Sequence, residues 1–374
     1  MKCHKDTLQI LQTYNIDINR GFLPSDDPLP TLPEEYKIWD ELAANFTDYL
    51  NAGIIRDKIK ALPLIENPIF KNQAQAERAM LLLSIFAHAY VNSGSKKRDH
   101  IPSGVSIPWV NVAKQLGRVP VLSHASLVLN NWRRLDLNKP IQLDNLATLF
   151  QFHGGLDESW FYLVTVQIEK IGGPAIPSLL EGIAFLEKSQ SEKAIDCLER
   201  ATLILKSMTE TLRQMYLHCE PPVFYKRIRP FLDSFVEVEY QGTLPEKRSF
   251  HGGSAAQSSL IQFFDAILGN RYDDIPSTNH YLLEMRKYMP PKHAAFLRYL
   301  ETKPSFKDYA IQNKKLEVAT KNAIDHLIEF RNEHLKMVSI YIMKQAKATN
   351  AEAVGTGGTN PMLFLKSIRN KNQK

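Results

Sequence analysis

Apolar residues recur at spacings of three and four along most of the chain, as in Trp39, Leu42, Ala43 and Phe46 and again in Ala79, Leu82, Leu83, Ile85 and Phe86. That spacing puts each set on one face of a 3.6-residue helix. In the C-terminal part it predicts long helices over 178–189, 191–218, 224–234, 258–268, 293–302 and 315–346, and earlier it predicts helical stretches over 121–135, 144–152 and 160–171. Polar–apolar alternation bounded by turn residues, the mark of strands, is nearly absent. The expected class is all-α.

Interruptions of the pattern set the organisation. Pro24, Pro28, Pro30 and Pro33 remove donors and fix φ, so the first 40 residues read as an extended arm on the surface. The stretch 92–120 carries Gly, Ser and three prolines and reads as loop with at most one short helix. A turn signal at His153-Gly154-Gly155 places a boundary near residue 152. The expected division is a small N-terminal helical domain, 1–152, and a large helical domain, 153–374.

Composition adds exclusions. With 374 residues, 44% hydrophobic and 23% charged, the chain has ample apolar surface for a core and is not disordered. The net charge of +6 is dispersed, and its longest basic run, Lys96-Lys97-Arg98, is too short for a nucleic-acid track. Cys3, Cys197 and Cys219 fall in no zinc or disulfide spacing, which fits a reducing cytoplasm. The N-terminal residues lack the apolar core of a secretion signal, and no stretch of 18 apolar residues occurs. A soluble protein without membrane or nucleic-acid partners is expected.

The segment 315–346 is the most informative. Its apolar stripe runs through Leu316, Ala319, Ala323 and Leu327, meets Arg331 and His334, and continues with Leu335, Val338, Tyr341 and Ile342. From pattern alone, His334 is either a core histidine bonded to a backbone carbonyl or a metal ligand. A buried Arg331 needs an anion to offset its desolvation. Asp265, among Phe263, Phe264, Ile267 and Leu268, is the candidate. A carboxylate, a guanidinium and a histidine one turn away suit the tuning of a metal-ligating imidazole, which donates one N–H and binds through its other nitrogen. Two glycine-rich stretches, 251–259 and 355–359, match neither a dinucleotide nor a phosphate-binding loop. They are either plain connections or places where backbone comes close to a flat ligand.

Five segments, HGGSAAQSSLIQFFDAILG (251–269), YLLEMRKYMPPKHAAFLRYLE (281–301), FRNEHLKMVSIYI (330–342), GTGGTNPMLFLKSIR (355–369) and LVLNNWRRLDLNKP (127–140), resemble the indoleamine 2,3-dioxygenase family. The resemblance is collinear from about residue 100 to residue 369. It implies a small domain capping a large helical domain that holds haem b, with His334 as the proximal iron ligand and Asp265 and Arg331 behind it. It further implies a substrate pocket at Phe161, Thr165, Phe224, Arg229, Ser254, Ala255 and Thr356, in which Arg229 pairs with the substrate carboxylate while nearby aromatic side chains pack on the indole. Thr165 stands where well-known animal members carry serine, and His124, on the distal side, where they carry tyrosine.

The reaction implied is insertion of O2, a co-substrate, across the 2,3 bond of L-tryptophan to give N-formylkynurenine, with a reductant needed only to reach ferrous iron. No protein residue need act as nucleophile or strong base. The alternatives are a haem oxygenase or rearranging enzyme acting on another indole or aromatic amino acid, and a haem sensor without turnover. A carboxylate clamp at Arg229 favours an enzyme, because a sensor has no need of one.

Overall fold

The computed structural model describes residues 5–243, 246–349, 355, 362 and 366. Helices dominate it. The longest, Lys314–Val338 and Ser191–Arg213, pack along each other, and Ala175–Glu187 and Leu156–Gly172 flank the second. Asn313 starts the first of these by accepting the Leu316 N–H in its side chain (3.1 Å), a cap that satisfies one of the open donors of the first turn. Gln73–Asn92 is buried on nearly every side from Ala76 onward, as befits a central helix. No helix among the described residues is long and apolar enough to cross a membrane.

Strands are few and short. Phe235–Tyr240 pairs in parallel with His100–Ile101 and antiparallel with Arg248–Phe250, and Trp132–Arg134 pairs antiparallel with Leu146–Thr148. The apolar core runs across residue 152 without a break, with Phe152 stacked on Phe231 and, elsewhere, Phe22 against Phe296.

Several sequence expectations need correction. Residues 5–40 are not a surface arm: Lys5–Thr13 is helical, and Phe22 and Leu23 are buried in the core. Within 92–120 lies a helix of 14 residues, Ser103–Leu116, which accommodates Pro108. Its Gly104 lies so close to the chain that a Cβ there would sit 2.7 Å from the Leu62 carbonyl oxygen. The helix expected over 144–152 is instead the strand Leu146–Thr148 and its flanks. The helices expected over 121–135 and 224–234 are irregular, with π-helical turns at Ala125–Leu129 and Phe224–Ile228. The helix expected to run to residue 346 leaves α geometry after Val338, through a third π-helical turn at Ser339–Met343.

Those irregular segments are tied to the central helix by His88. Its Nδ1–H donates to the Phe231 carbonyl (2.9 Å), its Nε2 accepts the Leu122 N–H (3.1 Å), and its ring stacks on Phe235 with centroids 4.2 Å apart. Burial pushes its pKa down from 6.5 to about 3, so the imidazole is neutral at pH 7 and one nitrogen can accept.

Because the unfolded chain binds this proton between pH 6.5 and about 3 and the folded chain does not, His88 makes the fold less stable as pH drops through that window. From pH 7 to pH 5 its share is about 2 kcal/mol. In His88→Gln an amide can supply both hydrogen bonds without titrating. Urea unfolding should show the loss between pH 7 and pH 5 smaller by about that amount; an unaltered loss would contradict this role.

Candidate active site

One cavity, of about 270 Å³ and mostly apolar, takes most of its wall from five segments. Leu156–Gly172 contributes Phe161, Thr165 and Glu169, one helical turn apart from each other and so on one face. Lys314–Val338 contributes Phe330, Arg331, His334, Met337 and Val338. The turn after Leu122 brings His124, Leu127 and Val128; the segment 224–232 brings Phe224, Arg229 and Leu232; and the stretch after His251 brings Gly253, Ser254 and Ala255. Every site residue expected from the sequence borders it except Thr356, which lies outside the described residues, as does most of 355–369. All three π-helical turns among the described residues contribute to its wall, through Leu127 and Val128, Phe224, and Tyr341 and Ile342. Such turns shift the register of a helix by one residue and are common at functional sites.

On one wall, Arg331 donates from Nη2 to Asp265 Oδ2 at 2.5 Å, with both side chains buried. Asp265 Oδ1 also accepts from the Tyr272 hydroxyl (3.0 Å) and Asn270 Nδ2 (3.3 Å). Burial pulls the Arg331 pKa down, and the facing Asp265 carboxylate more than restores it. The structure thus pairs the two residues, but it corrects one detail. No hydrogen bond joins Asp265 to His334, because the carboxylate's oxygens are directed at Arg331, Tyr272 and Asn270.

His334 itself is accessible from the cavity, and no described residue hydrogen-bonds to its ring. Burial, helped by the Arg331 charge, brings its pKa to about 4, so at pH 7 it offers a neutral imidazole nitrogen, the form that binds a metal. Among the described residues no cluster of three or more His, Cys, Asp or Glu could hold a bare metal ion.

Also on the cavity wall, Phe161 and Phe224 meet with ring centroids 4.8 Å apart, and the half-buried Arg229 follows Phe224 by five residues, its guanidinium over the Tyr225 ring. Thr165 donates its hydroxyl hydrogen to the Phe161 carbonyl (3.1 Å), so toward the cavity it can accept but not donate. Ser254 caps the short turn Ala255–Gln257. Gly252 permits that chain path: a Cβ there would lie 2.1 Å from the Leu232 carbonyl oxygen.

Two residues went unnoticed in the sequence. Glu169, 2% exposed, accepts from His124 Nε2 (2.9 Å) and from the Ser258 hydroxyl (2.7 Å). Gln257 accepts the His124 N–H (3.0 Å) and donates to the Gly252 carbonyl (2.8 Å), joining the two walls. The spacing of Glu169 from Phe161 and Thr165 at i, i+4 and i+8 was the available signal.

The chain was compared with known proteins. A family model described as indoleamine 2,3-dioxygenase matches residues 10–374. Indoleamine 2,3-dioxygenase 2 of Homo sapiens is 32% identical over 385 residues, 96% of this chain and 94% of the relative. Indoleamine 2,3-dioxygenase 1 of Mus musculus is 32% identical over 390 residues, 98% and 95% respectively. A 6-hydroxytryptophan 2,3-dioxygenase of Fusarium equiseti is 31% identical over 399 residues, 98% and 97%.

The buried pair yields a test. Asp265→Ala or Arg331→Ala alone should cost about 3–5 kcal/mol by stranding the other charge, and the double variant should cost clearly less than the sum of the two. Urea unfolding of all four proteins measures this, and additive losses would contradict the pairing.

Proposed function

The chain belongs to the indoleamine 2,3-dioxygenase family, an enzyme family of haem-dependent dioxygenases, and from that premise we propose that it opens the indole ring of L-tryptophan at the 2,3 bond to give N-formylkynurenine. The observation that carries the reading is that His334, its ring not hydrogen-bonded by any described residue, and Arg229 border the same apolar cavity.

The residues present fit haem. His334 offers a neutral nitrogen, the surrounding wall is apolar, and Arg331 keeps its Nη1 buried with no hydrogen-bond partner among the described residues, a donor suited to an acidic substituent of the macrocycle. His334 would be the ligand. Haem, when bound, supplies the redox-active iron that activates O2, with a reductant bringing that iron to the ferrous state.

The rest is the work of the chain. Arg229 would hold the substrate carboxylate through its fork of N–H donors, and Phe161 and Phe224 would flank the indole. Thr165, able only to accept, suits the indole N–H. The apolar wall excludes water and fixes one orientation, which is the protein's share in chemistry that belongs to the cofactor. Cys197 and Cys219 are free and buried, in keeping with a reducing cytoplasm. The name of the Fusarium equiseti relative shows that substituents on the indole ring vary among the proteins this chain resembles.

Two outcomes test the reading. His334→Ala should purify folded but with little haem, seen as loss of the Soret band; a normal band and full turnover would contradict the ligand assignment. Arg229→Ala should lower kcat/KM for L-tryptophan by about 10–200-fold, the worth of a charge-assisted contact of roughly 1.5–3 kcal/mol. Tryptamine, which has no carboxylate, should lose far less. Equal losses would show that Arg229 supports the fold alone, and a haem-loaded wild type that turns over neither compound would favour a sensor.

A further inference from the structure

Beyond the carboxylate clamp, the cavity contains a second polar end that the proposed reaction does not use. His124 and Glu169 are 5% and 2% exposed, and both border the cavity. Glu169 Oε1 accepts from His124 Nε2 at 2.9 Å and the Ser258 hydroxyl at 2.7 Å, while Oε2 is buried with no hydrogen-bond partner among the described residues. A carboxylate only accepts, so Nε2 carries the proton of that hydrogen bond. Nδ1 is the ring atom left over, and no described residue hydrogen-bonds to it. The Gln257 side chain accepts the His124 backbone N–H at 3.0 Å, so the backbone is held as well as the ring.

The position of this end follows from one helix. Phe161, Thr165 and Glu169 face the cavity at successive turns of Leu156–Gly172. Phe161 and Glu169 are eight residues apart, about 12 Å along the axis. At one end of this row Phe161 meets Phe224, five residues before Arg229, and at the other Glu169 holds His124. That span matches an indole amino acid from its carboxylate to the far edge of its six-membered ring, plus one hydrogen bond. In L-tryptophan that edge carries only C–H groups, which would leave Nδ1 without a donor.

We propose that His124, oriented by Glu169, is a specificity-determining residue that accepts a hydrogen bond from a hydroxyl on the benzo ring of the substrate, so that the site favours ring-hydroxylated tryptophans over tryptophan. The proposal rests on the orientation given above, with the carboxylate at Arg229. A site that leaves a buried acceptor unpaired discriminates against the analogue lacking the donor.

The experiment compares 5-hydroxy- and 6-hydroxy-L-tryptophan with L-tryptophan on the haem-loaded protein, by kcat/KM and, separately, by equilibrium dialysis. Wild type should prefer at least one hydroxylated amino acid by about 10–100-fold in both measurements. In His124→Phe that ratio should fall to within about threefold of unity. His124→Gln, whose amide can donate to Glu169 and accept from a hydroxyl, should restore much of it. A wild type that binds all three equally, or a ratio that His124→Phe leaves in place, overturns the proposal. Preferential binding of a hydroxylated amino acid through His124 without any oxidation would support the subsite while overturning the dioxygenase reading. If His124→Phe does not fold, the ratio in wild type and in His124→Gln decides.

Discussion

A polar group on the wall of an apolar cavity must find a partner in the protein or in a ligand, since leaving it bare costs about 1–3 kcal/mol. Applied around this cavity, that constraint sorts the side chains. Arg331 is matched by Asp265, the Thr165 hydroxyl by the Phe161 carbonyl, and the Gln257 amide by His124 and Gly252. The ring nitrogens of His334, Nδ1 of His124, Nη1 of Arg331 and Oε2 of Glu169 receive no such match among the described residues. All four belong to residues that line the cavity.

Holding those groups in place requires structure that is not regular helix. The π-helical turns at Ala125–Leu129, Phe224–Ile228 and Ser339–Met343 each bring residues to the cavity wall, and His88 fastens the neighbouring segments at Leu122 and Phe231 to the buried helix Gln73–Asn92. The outer supports are more ordinary. Arg213 pairs with Glu329 and Glu333 on the helix that carries His334, and Tyr341 hydrogen-bonds the Cys219 carbonyl at 2.6 Å.

The helical class and the stripe that carries Arg331 and His334 were legible because helix periodicity is local and strong. The pairing of Asp265 with Arg331 was legible from desolvation alone, since an apolar run around each charge implies a buried partner. The irregular segments were not: a π-helical turn inserts one residue without a compositional sign, so 121–135 and 224–234 read as ordinary helices. Ser103–Leu116 was hidden by Gly104 and Pro108, which read as breakers, yet Gly104 is there for a close approach to Leu62. Helix spacing could have put Glu169 on the face of Phe161 and Thr165, but its pairing with His124, 45 residues away in sequence, exists only in the fold. The substrate positions Phe161, Thr165, Phe224 and Arg229 came from family resemblance, and their meeting in one cavity is a fact of the tertiary structure.

The account makes the cavity one site, with an iron ligand and a clamp for an indole amino acid on its wall. The most direct test is to supply the haem-loaded, reduced protein with L-tryptophan under isotopically labelled O2 and to analyse the product by mass spectrometry. The account predicts N-formylkynurenine in which both inserted oxygen atoms come from the gas. A product with one labelled atom, or haem-loaded protein that leaves the indole ring closed, would contradict it.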